Sequence, residues 1–218
     1  PGGAIAVSGA GYAPVGQLTP EPGAENVEQR LADAERLILA GVLCNDARLH
    51  QVEGEWRVVG DPMEGALVAL ALKAGLAPEA LRRAWTRLDA IPFDARHRFM
   101  ATLDRHAAGD CRIFVKGAPD ELLALCTAQA AGEASVALDR DAWAARIAQA
   151  AGEGERVLGL AVKPVPAGTH TLQFADLEEG LCFLGLVSFI DPPREEAIAA
   201  IGECRDAGIA VKMITGDH

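Results

Sequence analysis

Six short segments, widely separated along the chain, contain residue types suited to binding small anions and flat aromatic groups. They combine basic side chains, a Phe that follows a Pro, and turns rich in Gly, Pro and Asp, and they lie at 60–67, 91–100, 114–119, 156–161, 191–194 and 213–217. Taken singly, each has an ordinary structural explanation, such as a capped helix start, a core aromatic residue or a solvated charge. Their significance depends on whether the fold brings them together.

The basic residues in these segments matter because the chain is otherwise strongly acidic. Lys and Arg total 20 against 31 Asp and Glu, which gives a net charge of −11. This balance argues against a nucleic-acid partner, because a phosphate backbone needs a basic face. It still allows a small anionic ligand, since a local cluster of Arg96, Arg98, Lys116 and Arg156 would create positive potential within a repelling field.

Several familiar kinds of site are excluded by the absence of their motifs. The sequence contains no GxxxxGK(S/T) or GxGxxG phosphate loop, no GxSxG elbow and no HExxH zinc motif. The five cysteines are far apart and form no CxxC pair, which predicts reduced thiols and no metal site. The longest uncharged apolar run, 180–190, is too short for a membrane helix, so we expect no direct membrane contact.

The hydrophobic pattern predicts a mixed α/β fold. Spacings of three and four residues, or helix-start signals, predict helices at 25–42, 62–74, from 78, 119–125, 142–151 and 195–207. Alternation or short apolar runs predict strands at 48–52, 56–59, 87–91, 98–104, 112–116, 156–163, 181–189 and 209–214. Residues 1–24 and 164–179 show no clear period and are expected to be mainly loop.

The last segment of the chain differs in character from the rest. Asp191-Pro192-Pro193-Arg194 is a stiff break, because two consecutive prolines prevent a helix there. The predicted helix, strand and Thr-Gly-Asp turn that follow are the order typical of an α/β domain. We therefore place a domain boundary near Ile190, which divides the chain into 1–190 and a truncated second domain, 191–218. Because residue 1 is Pro, we expect the chain to be part of a longer protein.

In this order and spacing, the six segments resemble the nucleotide-binding region of P-type cation-transporting ATPases. The similarity is greatest to the calcium-transporting branch and its bacterial relatives, and the stretch Leu43-Cys44-Asn45-Asp46-Ala47 agrees with it. It covers nearly the whole chain and is weakest over 1–24, 128–150 and 164–179. Each motif alone is only moderately specific, but six in the same order identify the family.

The resemblance implies a nucleotide-binding domain built on a twisted antiparallel sheet flanked by helices, followed by part of a haloacid-dehalogenase-like phosphorylation domain. It implies that ATP is bound with Mg²⁺ and presented to an aspartate that becomes phosphorylated. That aspartate belongs to a DKTGT motif that these 218 residues lack, so the chain alone is expected to be inactive. The expected partners are ATP and the other domains of a parent pump, at the cytoplasmic face of a membrane.

The resemblance also implies nucleotide-binding residues by position. Phe93 would stack on the adenine, Glu64 would lie near its amino group, and Lys116 would line the same pocket. Met100 would supply a soft, apolar wall. The other implied residues lie near the phosphates or at the hinge between domains: Arg98, Gly117, Arg156, Asp191, Arg194, Thr215, Gly216 and Asp217. The metal ligands for Mg²⁺ are expected mostly outside the chain.

The sequence departs from the family pattern immediately after Asp94. The family has a serine, an acidic residue and then basic residues there, whereas this chain has Ala95-Arg96-His97-Arg98. Either Arg96 or Arg98 is therefore the arginine on the phosphate side. A fragment of a haloacid-dehalogenase-like phosphohydrolase is an alternative, because the Thr215 loop resembles that superfamily's second motif. A module that binds without chemistry of its own is another. The transported ion is not determined: calcium is the family-level expectation, and manganese, sodium or another cation is the alternative.

Overall fold

The centre of the molecule is a seven-stranded sheet with helices on both faces. The computed structural model describes residues 3–190 and 195–212, and the elements in these ranges are β1 (Ile5–Val7), β2 (Leu18–Pro20), α1 (Val27–Leu43), β3 (Arg48–Val52), β4 (Glu55–Val59), α2 (Pro62–Lys73), α3 (Pro78–Ala84), β5 (Trp85–Asp94), β6 (Phe99–His106), β7 (Cys111–Gly117), α4 (Pro119–Leu125), β8 (Cys126–Ala131), β9 (Ala134–Ala137), α5 (Arg140–Gly152), β10 (Arg156–Val165), a short 3-10 helix (Phe174–Leu177), β11 (Leu181–Phe189) and α6 (Glu195–Asp206). The predicted α/β class is confirmed.

The strand order in the main sheet is β5-β6-β7-β10-β11-β8-β9. Neighbouring strands are antiparallel, as expected, except that β11 and β8 are parallel. The two other sheets are the pairs β1-β2 and β3-β4. The β6-β7 hairpin brings two strands that are adjacent in sequence to the middle of the site described below, where β10 then joins them.

The sheet is buried on both faces, and alternation along β7 shows why. Ile113 and Val115 belong to one core cluster, which includes Leu122 from α4 and Trp143 from α5. Phe114 points to the opposite face and packs in a cluster that includes Ala40 and Leu43 from α1. Successive side chains of a strand point to opposite faces, so a strand covered on both sides is apolar at nearly every position. Arg112 and Lys116 on the α1 face are the charged exceptions, and of the two only Lys116 is buried.

Helix α2 begins as its sequence predicts. Asp61 is the N-cap, and its Oδ1 accepts hydrogen bonds from the backbone N–H of Met63 and Glu64, while Pro62 occupies the first turn. The helix ends before Gly75, whose φ of +76° suits a residue without Cβ. The strand predicted at 181–189 is also confirmed with the same bounds.

Other predicted bounds are wrong in part. Two strands, β8 and β9, lie in a segment for which no strand was predicted. Arg98 is not in a strand but in the turn before β6, with a φ of +53°. The described part of the strand predicted at 209–214, residues 209–212, is not a strand, and these residues follow α6 without regular structure. No helix in the described residues has the length and apolar character needed to cross a membrane.

Candidate nucleotide-binding site

Most of the residues singled out by their types lie at one end of the main sheet, where β5 and β7 finish and β6 and β10 begin. This row of strand ends is the edge on which the candidate site lies. Because β5, β6, β7 and β10 are successive antiparallel strands, the ends of β5 and β7 lie at the same edge as the beginnings of β6 and β10. The register shows this directly: Asp94 pairs with Phe99, Phe99 with Gly117, and Gly117 with Gly159. The ends of β5 and β7 are therefore separated by two strand spacings, roughly 10 Å.

Lys116, the penultimate residue of β7, forms an ion pair with Glu64 in the first turn of α2. Its Nζ donates to Oε1 of Glu64 at 2.6 Å, and 6% and 14% of the two side chains remain exposed. A buried charge is costly unless it is paired and hydrogen-bonded. The pair therefore fixes two polar groups, a carboxylate and an ammonium, at an edge where the surrounding core is apolar.

The Glu64 carboxylate is held by the backbone as well. Its Oε2 accepts hydrogen bonds from the N–H groups of Asp46 at 3.0 Å and Ala47 at 3.1 Å, in the turn between α1 and β3. Asn45, which is 3% exposed, donates to the Glu64 carbonyl oxygen and accepts a bond from the Ala47 N–H. The turn and the start of α2 are thus one hydrogen-bonded unit.

Arg87 on β5 completes this unit, and its role was not predicted. Its guanidinium donates to the carbonyl oxygens of Leu43 and Asn45 and to the Asp46 carboxylate. Sequence alone showed a basic residue at the start of a strand, with nothing to indicate that its partners lie more than 40 residues earlier. The sequence did offer one signal for this unit, because the Cys44-Asn45-Asp46 stretch matched the family pattern.

Phe93 has the exposure expected of a binding residue. It lies in a bulge of β5, between the Ile91–Ala101 and Asp94–Phe99 pairs, and 63% of its surface is accessible. A bulge re-aims side chains at the end of a strand. Large aromatic residues are normally at least half buried, so this ring presents an apolar face to solvent at the site's edge.

Gly117 is required where β6, β7 and β10 meet. A Cβ at this position would lie 2.5 Å from the Arg98 carbonyl oxygen and 2.5 Å from the Phe99 Cβ. The backbone of the turn before β6 can approach β7 this closely only because residue 117 has no side chain. Its role is therefore to permit packing of the elements that carry Phe93 and Lys116.

Both arginines of the 94–98 turn pair with carboxylates. Arg96, whose side chain is 89% exposed, donates to both oxygens of Asp94. Arg98 donates to Asp120 and Glu121 at the start of α4. The Arg96 interactions lower the pKa of Asp94 to about 2. Neither guanidinium is dedicated to an open anion site in this structure.

Two more of the predicted residues, Met100 and Arg156, differ in their exposure to solvent. Met100 is 3% exposed and belongs to the core cluster on the α1 face, where its backbone pairs with Lys116. Arg156 is the first residue of β10 and is exposed, with Phe189 opposite it on β11. It precedes Gly159 by three residues, which places it roughly 10 Å farther along the strand, past the end of β7. Asp191, Arg194, Thr215, Gly216 and Asp217 lie outside the described residues.

Neither a reactive thiol nor a metal site accompanies this edge in the described ranges. Cys44, next to Asn45, is buried, and burial raises the pKa of its thiol to about 12, although the positive charges of Lys116 and Arg87 act in the opposite direction. Within 3–190 and 195–212, no three His, Cys, Asp or Glu side chains are grouped so that they could hold a metal ion. The described residues at this edge present an exposed aromatic ring, a carboxylate and cationic side chains.

Known proteins with similar sequences identify the family. Residues 33–196 match the family model described as P-type ATPase, cytoplasmic domain N. The cation-transporting ATPase pma1 of Synechocystis sp. is 44% identical over 218 residues, 97% of this chain and 24% of that protein. The calcium-transporting ATPase of Bacillus subtilis is 35% identical over 216 residues, again 97% and 24%.

A third relative, the probable cation-transporting ATPase F of Mycobacterium tuberculosis, is 38% identical over 222 residues, all of this chain and 24% of that protein. The chain thus spans about a quarter of the length of these relatives. The fold and the site define a mixed α/β domain in which polar side chains and an exposed aromatic ring lie at one edge of the sheet. The chain belongs to the P-type ATPase family and corresponds to its cytoplasmic domain N.

Proposed function

We propose that this chain is the ATP-binding cytoplasmic domain of a cation-transporting P-type ATPase. The observation that carries the proposal is the Glu64–Lys116 pair, buried at the same sheet edge that exposes Phe93. The strands that carry Phe93 and Lys116 are two spacings apart, roughly 10 Å, so a purine between them can contact both.

The adenine base would stack on Phe93 and donate its amino group to Glu64. A base on an exposed aromatic ring contributes about 1–3 kcal/mol. A carboxylate offers about four lone-pair sites, and Glu64 uses three of them for Asp46, Ala47 and Lys116. The remaining site on Oε1 can accept an N–H donor, whereas the C6 oxygen of hypoxanthine would be repelled there.

The phosphates would extend towards the basic residues along the edge. Arg96 is suited to contact them because its side chain is 89% exposed and its present partner, Asp94, lies two residues away. Arg156, exposed at the start of β10, is a second candidate. Because the chain carries a net charge of −11, these local cations are needed to overcome its repulsion of a triphosphate.

The phosphoryl acceptor in this proposal lies outside these 218 residues, as do most Mg²⁺ ligands. Mg²⁺ would neutralise charge on the β- and γ-phosphates when ATP binds. Thr215, Gly216 and Asp217 are proposed to meet the γ-phosphate when a phosphorylation domain closes over it, with Asp191 and Arg194 at the hinge. The parent pump is proposed to move calcium, the ion named for the Bacillus subtilis relative, with this domain at the cytoplasmic face.

A titration followed by NMR amide shifts tests the proposal with three ligands: adenosine, ATP and inosine. ATP is expected to bind with a Kd on the order of 0.1–5 mM, about −3 to −5.5 kcal/mol. Adenosine should shift the amides of Phe93, Glu64 and Lys116, and inosine should bind at least severalfold more weakly because Glu64 faces an oxygen. No shifts at 93, 64 and 116, or equal binding of adenosine and inosine, would contradict the assignment of the base pocket.

A further inference from the structure

Arg98 has an unusual backbone conformation, and both its side chain and its backbone form hydrogen bonds to neighbouring elements. Its φ is +53°, a left-handed conformation that residues with a side chain rarely adopt and that persists only where the surroundings enforce it. The guanidinium donates to Oδ2 of Asp120 at 2.5 Å and to Oε1 of Glu121 at 2.6 Å. These contacts anchor the residue to the start of α4.

The backbone of Arg98 joins the two halves of the site. Its N–H donates to the Asp94 carbonyl oxygen at 2.8 Å and closes the turn that begins directly after Phe93. Its own carbonyl oxygen accepts a hydrogen bond from the Ala118 N–H at 2.9 Å, two residues after Lys116. A single residue thus connects the turn that follows the exposed ring of Phe93 to the residue just after the end of β7, the strand that carries the Lys116 ammonium.

We propose that Arg98 is a positioning residue, which holds the Phe93 turn against the end of β7 and does not contact the phosphates of the nucleotide. The inference rests on the proposed function, because it concerns how the base-binding edge is kept in place. It assigns the residue a role that charge alone would not suggest, since an arginine at this edge is otherwise expected on the phosphate side.

Charge supports this role. Two carboxylates contact the Arg98 guanidinium, so the group of three side chains carries a net negative charge. A triphosphate approaching Arg98 would be repelled by Asp120 and Glu121, and using the guanidinium as a ligand would break its hydrogen bonds to both carboxylates. Arg96 on the same turn has one carboxylate partner and much greater exposure.

The test compares neutral adenosine with ATP in the 218-residue chain. Arg98→Lys keeps the charge but cannot reproduce the fork that reaches both carboxylates. We expect its Kd for adenosine and for ATP to rise by the same factor, on the order of three- to tenfold, the scale of one partly exposed ion pair. Arg112→Lys, at the opposite end of β7 and paired with Asp110, is the matched control and should leave both Kd values unchanged.

A second variant keeps Arg98 and removes its partners. In Asp120→Asn/Glu121→Gln the guanidinium loses both of its ionised partners, so a phosphate-binding arginine would bind ATP more tightly and leave adenosine unaffected. The positioning role predicts instead that adenosine binds more weakly, with amide shifts in the 93–98 turn of the ligand-free chain. This variant also provides the answer if Arg98→Lys does not fold.

Three outcomes would overturn the inference. Arg98→Lys could weaken ATP alone, which would make Arg98 a phosphate ligand. It could lower thermal stability while both Kd values stay constant, which would make its role purely structural. The double variant could bind adenosine normally. Failure of the proposed function is distinguishable from all three, because it appears as absent binding of adenosine and ATP in the unsubstituted chain.

Discussion

Lys116 and Glu64 are separated by 52 residues in sequence, yet the Lys116 ammonium lies 2.6 Å from the Glu64 carboxylate, with both side chains largely buried. The pair joins the end of a central strand to the first turn of α2. Two backbone N–H groups from a third element also bind the carboxylate. Three elements thus depend on one charged contact, which makes it informative for both folding and binding.

Removing one partner of this pair should cost more stability than removing both. Lys116→Met leaves the Glu64 carboxylate buried with its charge only partly compensated, and the expected loss is about 3 kcal/mol in the free energy of unfolding. Lys116→Met combined with Glu64→Gln should recover part of that loss, because no buried charge remains. Urea denaturation of the two single variants and the double variant gives the coupling energy. Additive effects would show that the contact contributes nothing by itself.

Phe93→Ala should abolish most base binding while changing stability little. The ring is exposed, so its loss leaves no cavity and should alter the free energy of unfolding by less than about 0.5 kcal/mol. Adenosine affinity should fall by about 1–3 kcal/mol, the value of one stacked base. The measurement pairs NMR titration with thermal unfolding.

Phe114→Ala is the matched control for that substitution. Phe114 is 1% exposed in the core on the α1 face, and its truncation should destabilise the chain by about 3–5 kcal/mol. If Phe93→Ala unfolded the chain to a similar extent, or left adenosine binding intact, Phe93 would be a packing residue and not a ligand contact.

Asp104 should make the chain less stable as the pH rises from about 4 to about 6. It is 2% exposed, and burial raises its pKa from 3.8 to about 6. The unfolded chain therefore releases this proton at lower pH than the folded chain does, so the stabilisation is complete below pH 4 and is lost above pH 6. The expected decline is about 3 kcal/mol.

Asp104→Asn should remove this pH dependence, which urea denaturation at pH 4 and pH 7.5 would reveal. Asp89 on the neighbouring strand is the control, because its carboxylate accepts N–H bonds from Leu172 and Ala90 and its pKa is lowered. Asp89→Asn should destabilise the chain at pH 7.5, because a carboxylate with a lowered pKa stabilises the fold when it is ionised. Asp104→Asn should have the opposite effect at that pH, because the raised pKa of Asp104 means that its ionised form destabilises the fold. If the difference in the free energy of unfolding between pH 4 and pH 7.5 were unchanged in Asp104→Asn, another group would be titrating in that range.

Gly117→Ala should destabilise the chain by several kcal/mol and weaken adenosine binding. The added methyl group would meet backbone and Cβ atoms at 2.5–2.6 Å, so β6 or the 94–98 turn must move. Gly152→Ala is the control, because a Cβ there meets nothing within 4 Å at the end of α5 and should be neutral or slightly stabilising. A normal melting temperature for Gly117→Ala would contradict the close approach described here.

Local signals in the sequence were sufficient for some elements and insufficient for others. The start of α2 was predictable because Asp61, Pro62 and Glu64 are each specific to a helix start. β8 and β9 were not, because Cys126–Ala131 and Ala134–Ala137 are rich in Ala and poor in β-branched residues. β8 is specified by pairing with β11, and β9 by pairing with β8; the contact between β8 and β11 is one that no local pattern encodes.

Part of the candidate site could likewise be predicted from the sequence, and part of it could not. The types and order of Phe93, Glu64 and Lys116 could be recognised along the chain, and the structure places them at one edge. What the sequence could not indicate is that Lys116 would donate to Glu64, or that Arg87 would fix the turn whose N–H groups bind the same carboxylate. These are long-range partnerships, and a charged residue at a strand end is compatible with many of them.

The pairing of Arg156 with Phe189 has a mechanical consequence. The chain leaves the sheet after β11 at the same edge that carries Lys116, Gly117 and Phe93. If the sheet rotated about that exit, the candidate site would lie near the axis of rotation and be displaced little. The turn around Asp110, at the opposite end of the sheet, would be displaced much farther. A bound nucleotide would therefore change its orientation more than its position, and the far side of the domain would register the motion most strongly.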